Sequence, residues 1–189
     1  LGVKVIDTLK KEDIYTIDDI YALPDGERVE LIDGKLYAMA PPNTKHQRLV
    51  HFFDREIGNY IQHNHGECEV FPAPFSVFLN ENDKNYVEPD ISVICDKNKI
   101  TDRGCNGAPD WVIEIVSKSS KYMDYYTKLF KYRTAGVKEY WIVDPVKDLV
   151  MVYRFEKETI EQYSFGEDMP VGIYEGFSLK VEPDTEQTE

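Results

Sequence analysis

Two short apolar runs, each carrying one acid, constrain this 189-residue chain more than any other feature. In the first, Asp90 heads Ile91-Ser92-Val93-Ile94; in the second, Glu114 sits inside Trp111-Val112-Ile113-Glu114-Ile115-Val116. Runs of this kind are strands buried on both faces or nearly so, which places them inside a sheet with cover on either side. A carboxylate entering such a core is costly unless it is paired or holds a cation. In a hairpin-like arrangement the two acids face each other across neighbouring strands. One or two carboxylates with retained waters are what Mg²⁺ takes, and the backbone carbonyl of Ile115 completes the candidate set. The competing reading of Glu114 is a structural salt bridge in the core.

Around these runs the pattern alternates helix and strand. Thr16 caps a short helix over 16–22, and ELIDGKLYAMA reads as a hairpin turning at Asp33-Gly34. Thr44-x-x-Gln47 has the form of a capping box and opens a helix to about His63, with Leu49, Phe53, Ile57 and Tyr60/Ile61 as its buried stripe. Strands are expected at 68–79, 86–95 and 110–117. A helix over 121–135 ends at Gly136, and two strands, KEYWIVD and LVMVYRF, follow it. Residues 160–180 add one or two edge strands. The order describes a mixed α/β sheet with helices on its faces. One domain over 16–180 is expected, with an N-terminal extension at 1–15 and a frayed acidic tail at 181–189.

At 42% hydrophobic and 13% aromatic residues, the chain suits a packed globule. No apolar run approaches a membrane span, and the N-terminus lacks a signal-peptide pattern, so a cytoplasmic protein is expected. Cys68, Cys95 and Cys105 are odd in number and form no C-x-x-C pair, which reads as free thiols in a reducing compartment. The net charge of −13 argues against non-specific coating of nucleic acid. The charge is uneven, however: Ser117–Lys138 carries six cations and one acid, Asp124, so this segment is +5 and the remainder −18. His63-Asn64-His65 spells HNH but falls at a helix terminus, and His63, His65 and Cys68 lack a fourth zinc ligand.

Several motifs in order resemble one family. Pro89-Asp90, then Glu114-Ile115-Val116-Ser117, then Asp124, Lys128 and Tyr132, then Gly136-Val137-Lys138-Glu139-Tyr140-Trp141-Ile142-Val143-Asp144-Pro145 look like the Uma-type restriction endonucleases, a prokaryotic branch of the PD-(D/E)XK superfamily. Glu30-Leu31-Ile32-Asp33-Gly34 and His46-Gln47 fit the same pattern, and the resemblance spans about residues 15–155. It implies a restriction-endonuclease-like fold with a mixed central β-sheet flanked by helices, here with an N-terminal hairpin and extra C-terminal strands. One position departs from the superfamily: the lysine expected two residues after the glutamate is Val116. In this branch the cation is supplied from the following helix, at the position of Lys128.

The resemblance implies a Mg²⁺- or Mn²⁺-dependent DNA endonuclease. Asp90, Glu114 and the Ile115 carbonyl would be its metal ligands, with Lys128 as its catalytic cation. Glu30 and His46 are second-tier catalytic candidates; a histidine extending a buried stripe is more often a packed core residue. Asp124 and Lys128 otherwise read as a solvated i, i+4 ion pair. Glu88, on the same strand face as Asp90, reads as an edge carboxylate or a second-metal ligand. Lys118, Lys121 and Lys131 are the candidate nucleic-acid contacts, and Tyr122, Tyr125, Tyr126 and Tyr132 are half-buried helix residues or stacking platforms. A homodimer is one way for a two-strand cutter to bring two active sites together. The alternative is a catalytically silent nuclease-fold module that binds nucleic acid or a protein, a reading Val116 favours.

Overall fold

The computed structural model describes residues 14–24, 26–80 and 82–183. Most of the N-terminal extension and the last residues of the acidic tail therefore lie outside the described residues. The helix α1 (Ile17–Tyr21) is closed by a Thr16–Asp19 capping box, and the hairpin of β1 (Val29–Ile32) and β2 (Lys35–Ala38) turns at Asp33-Gly34 as the sequence indicates. The long helix α2 (Thr44–His63) buries Leu49, Phe53, Ile57 and Ile61. Its N-cap is Asn43 rather than Thr44: the Asn43 side chain accepts the His46 backbone N–H at 2.9 Å, so the expected capping box does not form.

Each of the next two expected strands divides between sheets. The first becomes β3 (Glu69–Pro72) and β4 (Val77–Phe78), on either side of a cis Ala73-Pro74 peptide bond. The second becomes β5 (Tyr86–Val87) and β6 (Ile91–Ile94), separated at Glu88-Pro89-Asp90. Proline supplies no backbone N–H to a ladder, and both breaks contain one. The polar loop that follows holds a small hairpin of β7 (Ile100–Thr101) and β8 (Gly104–Asn106) before β9 (Trp111–Ile115). A π-helical turn over Met123–Lys128 then runs into α3 (Leu129–Ala135), which stops at Gly136 in the left-handed conformation. The chain ends through β10 (Glu139–Asp144), β11 (Leu149–Arg154), β12 (Thr159–Ser164), β13 (Met169–Pro170) and β14 (Ser178–Leu179).

The central sheet runs β12-β11-β10-β9-β6-β3 and is mixed, because β9 and β10 are parallel while the other pairs are antiparallel. A second six-stranded sheet, β2-β1-β5-β4-β8-β7, gathers the N-terminal hairpin and the split strand halves, a layer the sequence pattern does not reveal. Side chains alternate across each strand. In β9, Trp111, Ile113 and Ile115 join the core under α2, whereas Val112 and Val116 join the core shared with α3 and the second sheet. By the same alternation Glu114 faces α3. The core under α2 extends to Phe177, Leu179 and Val181, so the chain stays packed to the start of the expected tail.

The cysteine expectation is overturned. Cys68 and Cys95 form a disulfide, leaving buried Cys105 as the free thiol. The reason is register: β3 and β6 are antiparallel neighbours with Glu69 opposite Ile94, which sets the flanking cysteines opposite each other. Residues far apart in sequence are joined by a pairing that spacing alone does not expose.

Candidate active site

The register of β6 on β9 places Ile91 opposite Ile113. One position further along sets Asp90 across from Glu114, whose side chain faces α3. Asp90 is fixed from two sides: the Ile115 backbone N–H donates to its Oδ2 at 2.8 Å, and His46 Nε2 lies 3.1 Å from the same oxygen. His46 reaches it from the first turn of α2, where the Asn43 cap holds the backbone. Burial alone would hold the imidazole pKa down, but the Asp90 carboxylate and the Ile115 carbonyl raise it above the ordinary histidine range.

Glu114 is buried and its Oε1 accepts two donors, Lys128 Nζ at 2.9 Å and the Tyr132 hydroxyl at 2.6 Å. Lys128, 4% exposed, also reaches Glu30 Oε1 at 2.8 Å and lies 3.9 Å from Asp124 Oδ1. Glu30 comes from the N-terminal hairpin and is held by the Glu88 backbone N–H at 3.1 Å. The competing reading of Asp124 and Lys128 as a solvated ion pair does not hold, because both are buried in one cluster. Burial pushes the Glu114 carboxyl well above its usual range against the pull of Lys128. Burial would depress Lys128, but Glu114, Glu30 and Asp124 raise its pKa well above the ordinary lysine value. Asp124 is pushed by burial up to about 6, against Lys128 and the nearby Ser120 hydroxyl. The neighbouring Tyr132 hydroxyl is raised in turn, first by burial and then by Glu114.

Other candidates fall elsewhere. Glu88 is not an edge carboxylate: it is buried, bonded by Arg28 Nε at 2.9 Å and by the Tyr86 hydroxyl at 2.7 Å. Lys131 is ion-paired with Asp33 of the hairpin turn, while Lys118 and Lys121 are exposed. His63 and His65 are exposed at the end of α2. In the sequence Asp124 and Tyr132 stand among the motif residues without a catalytic role, and their spacing of four on either side of Lys128 is the signal that sets all three on one face.

The donor chemistry fits a hard cation. Four carboxylates (Glu30, Asp90, Glu114, Asp124) surround one ammonium and one imidazole, and both Asp124 oxygens are buried without a hydrogen-bond partner. Excess buried negative charge is relieved by protonation or by a cation. Among the described residues no three His, Cys, Asp or Glu side chains form a metal cluster by themselves. A cation here would complete its shell with backbone oxygen, phosphate or water, as Mg²⁺ commonly does.

A mixed sheet flanked by helices, with an aspartate and a glutamate at facing positions on adjacent strands and a lysine bonded to that glutamate, defines a protein of the restriction-endonuclease-like class. The chain belongs to the Uma2 family, described as "Putative restriction endonuclease", whose model matches residues 17–182. A crystal structure of a putative nuclease belonging to DUF820 from Anabaena variabilis superposes with a TM-score of 0.68 at 23% identity, covering 82% of this chain and 88% of that one, and shows the same fold. An uncharacterized protein of Synechocystis is 28% identical over 98 residues, 52% of this chain. The match spans half the length of that relative. No helix among the described residues is long and apolar enough to cross a membrane.

Proposed function

We propose that this chain is a Mg²⁺- or Mn²⁺-dependent endonuclease that hydrolyses phosphodiester bonds in DNA. The observation that carries the reading is the position of Lys128. Its Nζ bonds Glu114 Oε1 at 2.9 Å from the neighbouring helix, supplying the cation that Val116 lacks. Asp90, Glu114 and the Ile115 carbonyl would hold the metal ion, which when bound polarises the phosphate and lowers the pKa of a water ligand. Hydrolysis adds the water oxygen to phosphorus and expels one ester oxygen, building negative charge on the phosphorane. Lys128 Nζ is the fixed cation that stabilises this charge, preorganised in a site largely closed to solvent. Glu30 and Tyr132 keep that geometry, one gripping Nζ and the other sharing Glu114 Oε1. His46 orients Asp90 through Oδ2. Lys118 and Lys121, exposed beside the site, would meet the DNA backbone.

The test is cleavage of supercoiled plasmid with Mg²⁺ or Mn²⁺, with and without chelator. Nicked or linear product that disappears with chelator is expected, and cleavage that persists in chelator would remove the reading. Metal titration by calorimetry should show binding in the native chain and none in Asp90→Ala or Glu114→Ala, both still folded by circular dichroism. DNA binding without any cleavage would instead leave the silent module, the reading that Val116 favours.

A further inference from the structure

The outer face of the 121–135 helix carries aromatic surface that the proposed chemistry does not use. Tyr122, Tyr126 and Phe130 are 70%, 65% and 63% exposed, and Ile160 on β12 is 63% exposed. The three aromatics repeat every four residues and form one ridge, offset by two residues from the buried Asp124, Lys128 and Tyr132. They therefore stand on the side of the helix away from the acidic cluster. Between this ridge and β12 runs a groove of about 320 Å³ floored by Leu129, Tyr153 and Phe155. Ile160 is the cross-strand partner of Tyr153, so its side chain stands on the same sheet face and forms the opposite rim.

Contiguous exposed apolar surface of this kind marks a docking site. The charges decide what docks. A surface that tracks a nucleic-acid backbone is cationic along its length. This groove is lined by Arg133, Arg154 and Glu158, and among the described residues no lysine lines it. Arg154 is already bonded to Glu161 at 2.6 Å. Aromatic residues and arginine without lysine are the composition of a protein interface core. The patch also offers both halves of a contact, a ridge with a groove and a base with an acid. Such self-complementarity is what a two-fold isologous interface requires.

We propose that this face joins two copies of the chain about a two-fold axis. The aromatic ridge of each copy seats in the groove of the other, with Arg133 opposite Glu158 of the partner subunit. The proposal stands independently of the nuclease reading, because its test measures mass and not cleavage. Sedimentation velocity on the whole chain across a concentration series should give a species of twice 22.0 kDa. Phe130→Lys and Ile160→Lys should each shift it to monomer with an unchanged thermal melt, since both side chains are mostly exposed. Arg133→Glu should weaken the dimer, and adding Glu158→Arg should restore it. A monomer at every concentration overturns the proposal, as does a dimer that survives both lysine variants. A monomer whose Phe130→Lys variant loses binding to a single-stranded oligonucleotide would make the ridge a base-stacking platform instead. Failure of the charge reversal to restore the dimer would remove the Arg133–Glu158 contact.

Discussion

At the scale of single residues, Lys128 has two separable effects. It neutralises a pocket holding Glu30, Glu114 and Asp124, and it supplies the cation nearest to Glu114 Oε1. Removing one partner of a buried ion pair leaves uncompensated charge and costs about 3–5 kcal/mol. Losing a preorganised charge donor lowers a rate by roughly 10²-fold or more. Lys128→Met is therefore expected to lower the urea-melt stability of the metal-free chain by about 3 kcal/mol. At temperatures where both proteins are folded, it should cut plasmid cleavage about 10²-fold while DNA binding persists. Val116→Lys in that background should recover part of the rate, because it returns an ammonium to the strand. Full activity in Lys128→Met alone would end the assignment and turn attention to Lys121.

At the scale of elements, two helices deliver the site in different ways. The N-cap of α2 fixes the backbone that carries His46 toward Asp90. Replacing an asparagine cap by alanine costs about 1 kcal/mol. Asn43→Ala should show that loss in denaturant melts, and an unchanged midpoint would mean that Thr44 caps the helix after all. In the 121–135 helix, Asp124, Lys128 and Tyr132 are all buried. A spacing of four drifts about 40° per step around a regular α-helix. The wider π turn over Met123–Lys128 drifts the other way, so one step of each brings all three onto one line. Lys118, in the turn before this helix, and Lys121 at its start are exposed to solvent. Neutralising both should flatten the slope of log K against log salt for DNA binding by up to about 2 units. Lys131, the third candidate contact, is left unchanged in that variant so that its ion pair with Asp33 stays intact.

At the scale of the whole molecule, the Cys68–Cys95 disulfide ties β3 at the sheet edge to β6, which carries the Asp90 end of the site. Cys105 is buried, and burial pushes its thiol up to about 11, so little thiolate exists near neutral pH. A thiol-reactive chromophore at pH 8 should find none in the native protein, one after denaturation and three after denaturation with reductant. Three reactive thiols in the unreduced denatured chain would mean that the pair is open. Closing a loop of this length stabilises a domain by about 2–4 kcal/mol. Reduction should accordingly lower the melting temperature without moving Lys128 from Glu114, because those two residues lie outside the closed loop.

The sequence by itself determined the elements whose pattern is local: the apolar runs with Asp90 and Glu114, the amphipathic stripe of α2, the Asp33-Gly34 hairpin and the stop at Gly136. Periodicity and turn chemistry act over a few residues, so they are legible one segment at a time. Only the tertiary structure decided which segments meet. The division of two expected strands between sheets, the grip of Glu30 on Lys128 and the pairing of Cys68 with Cys95 all depend on register between stretches far apart in the chain. The burial of Asp124 and Lys128 likewise required the sheet beneath them: as an isolated pair they suit solvent equally well. Packing, not local propensity, converted a surface ion pair into the centre of the site.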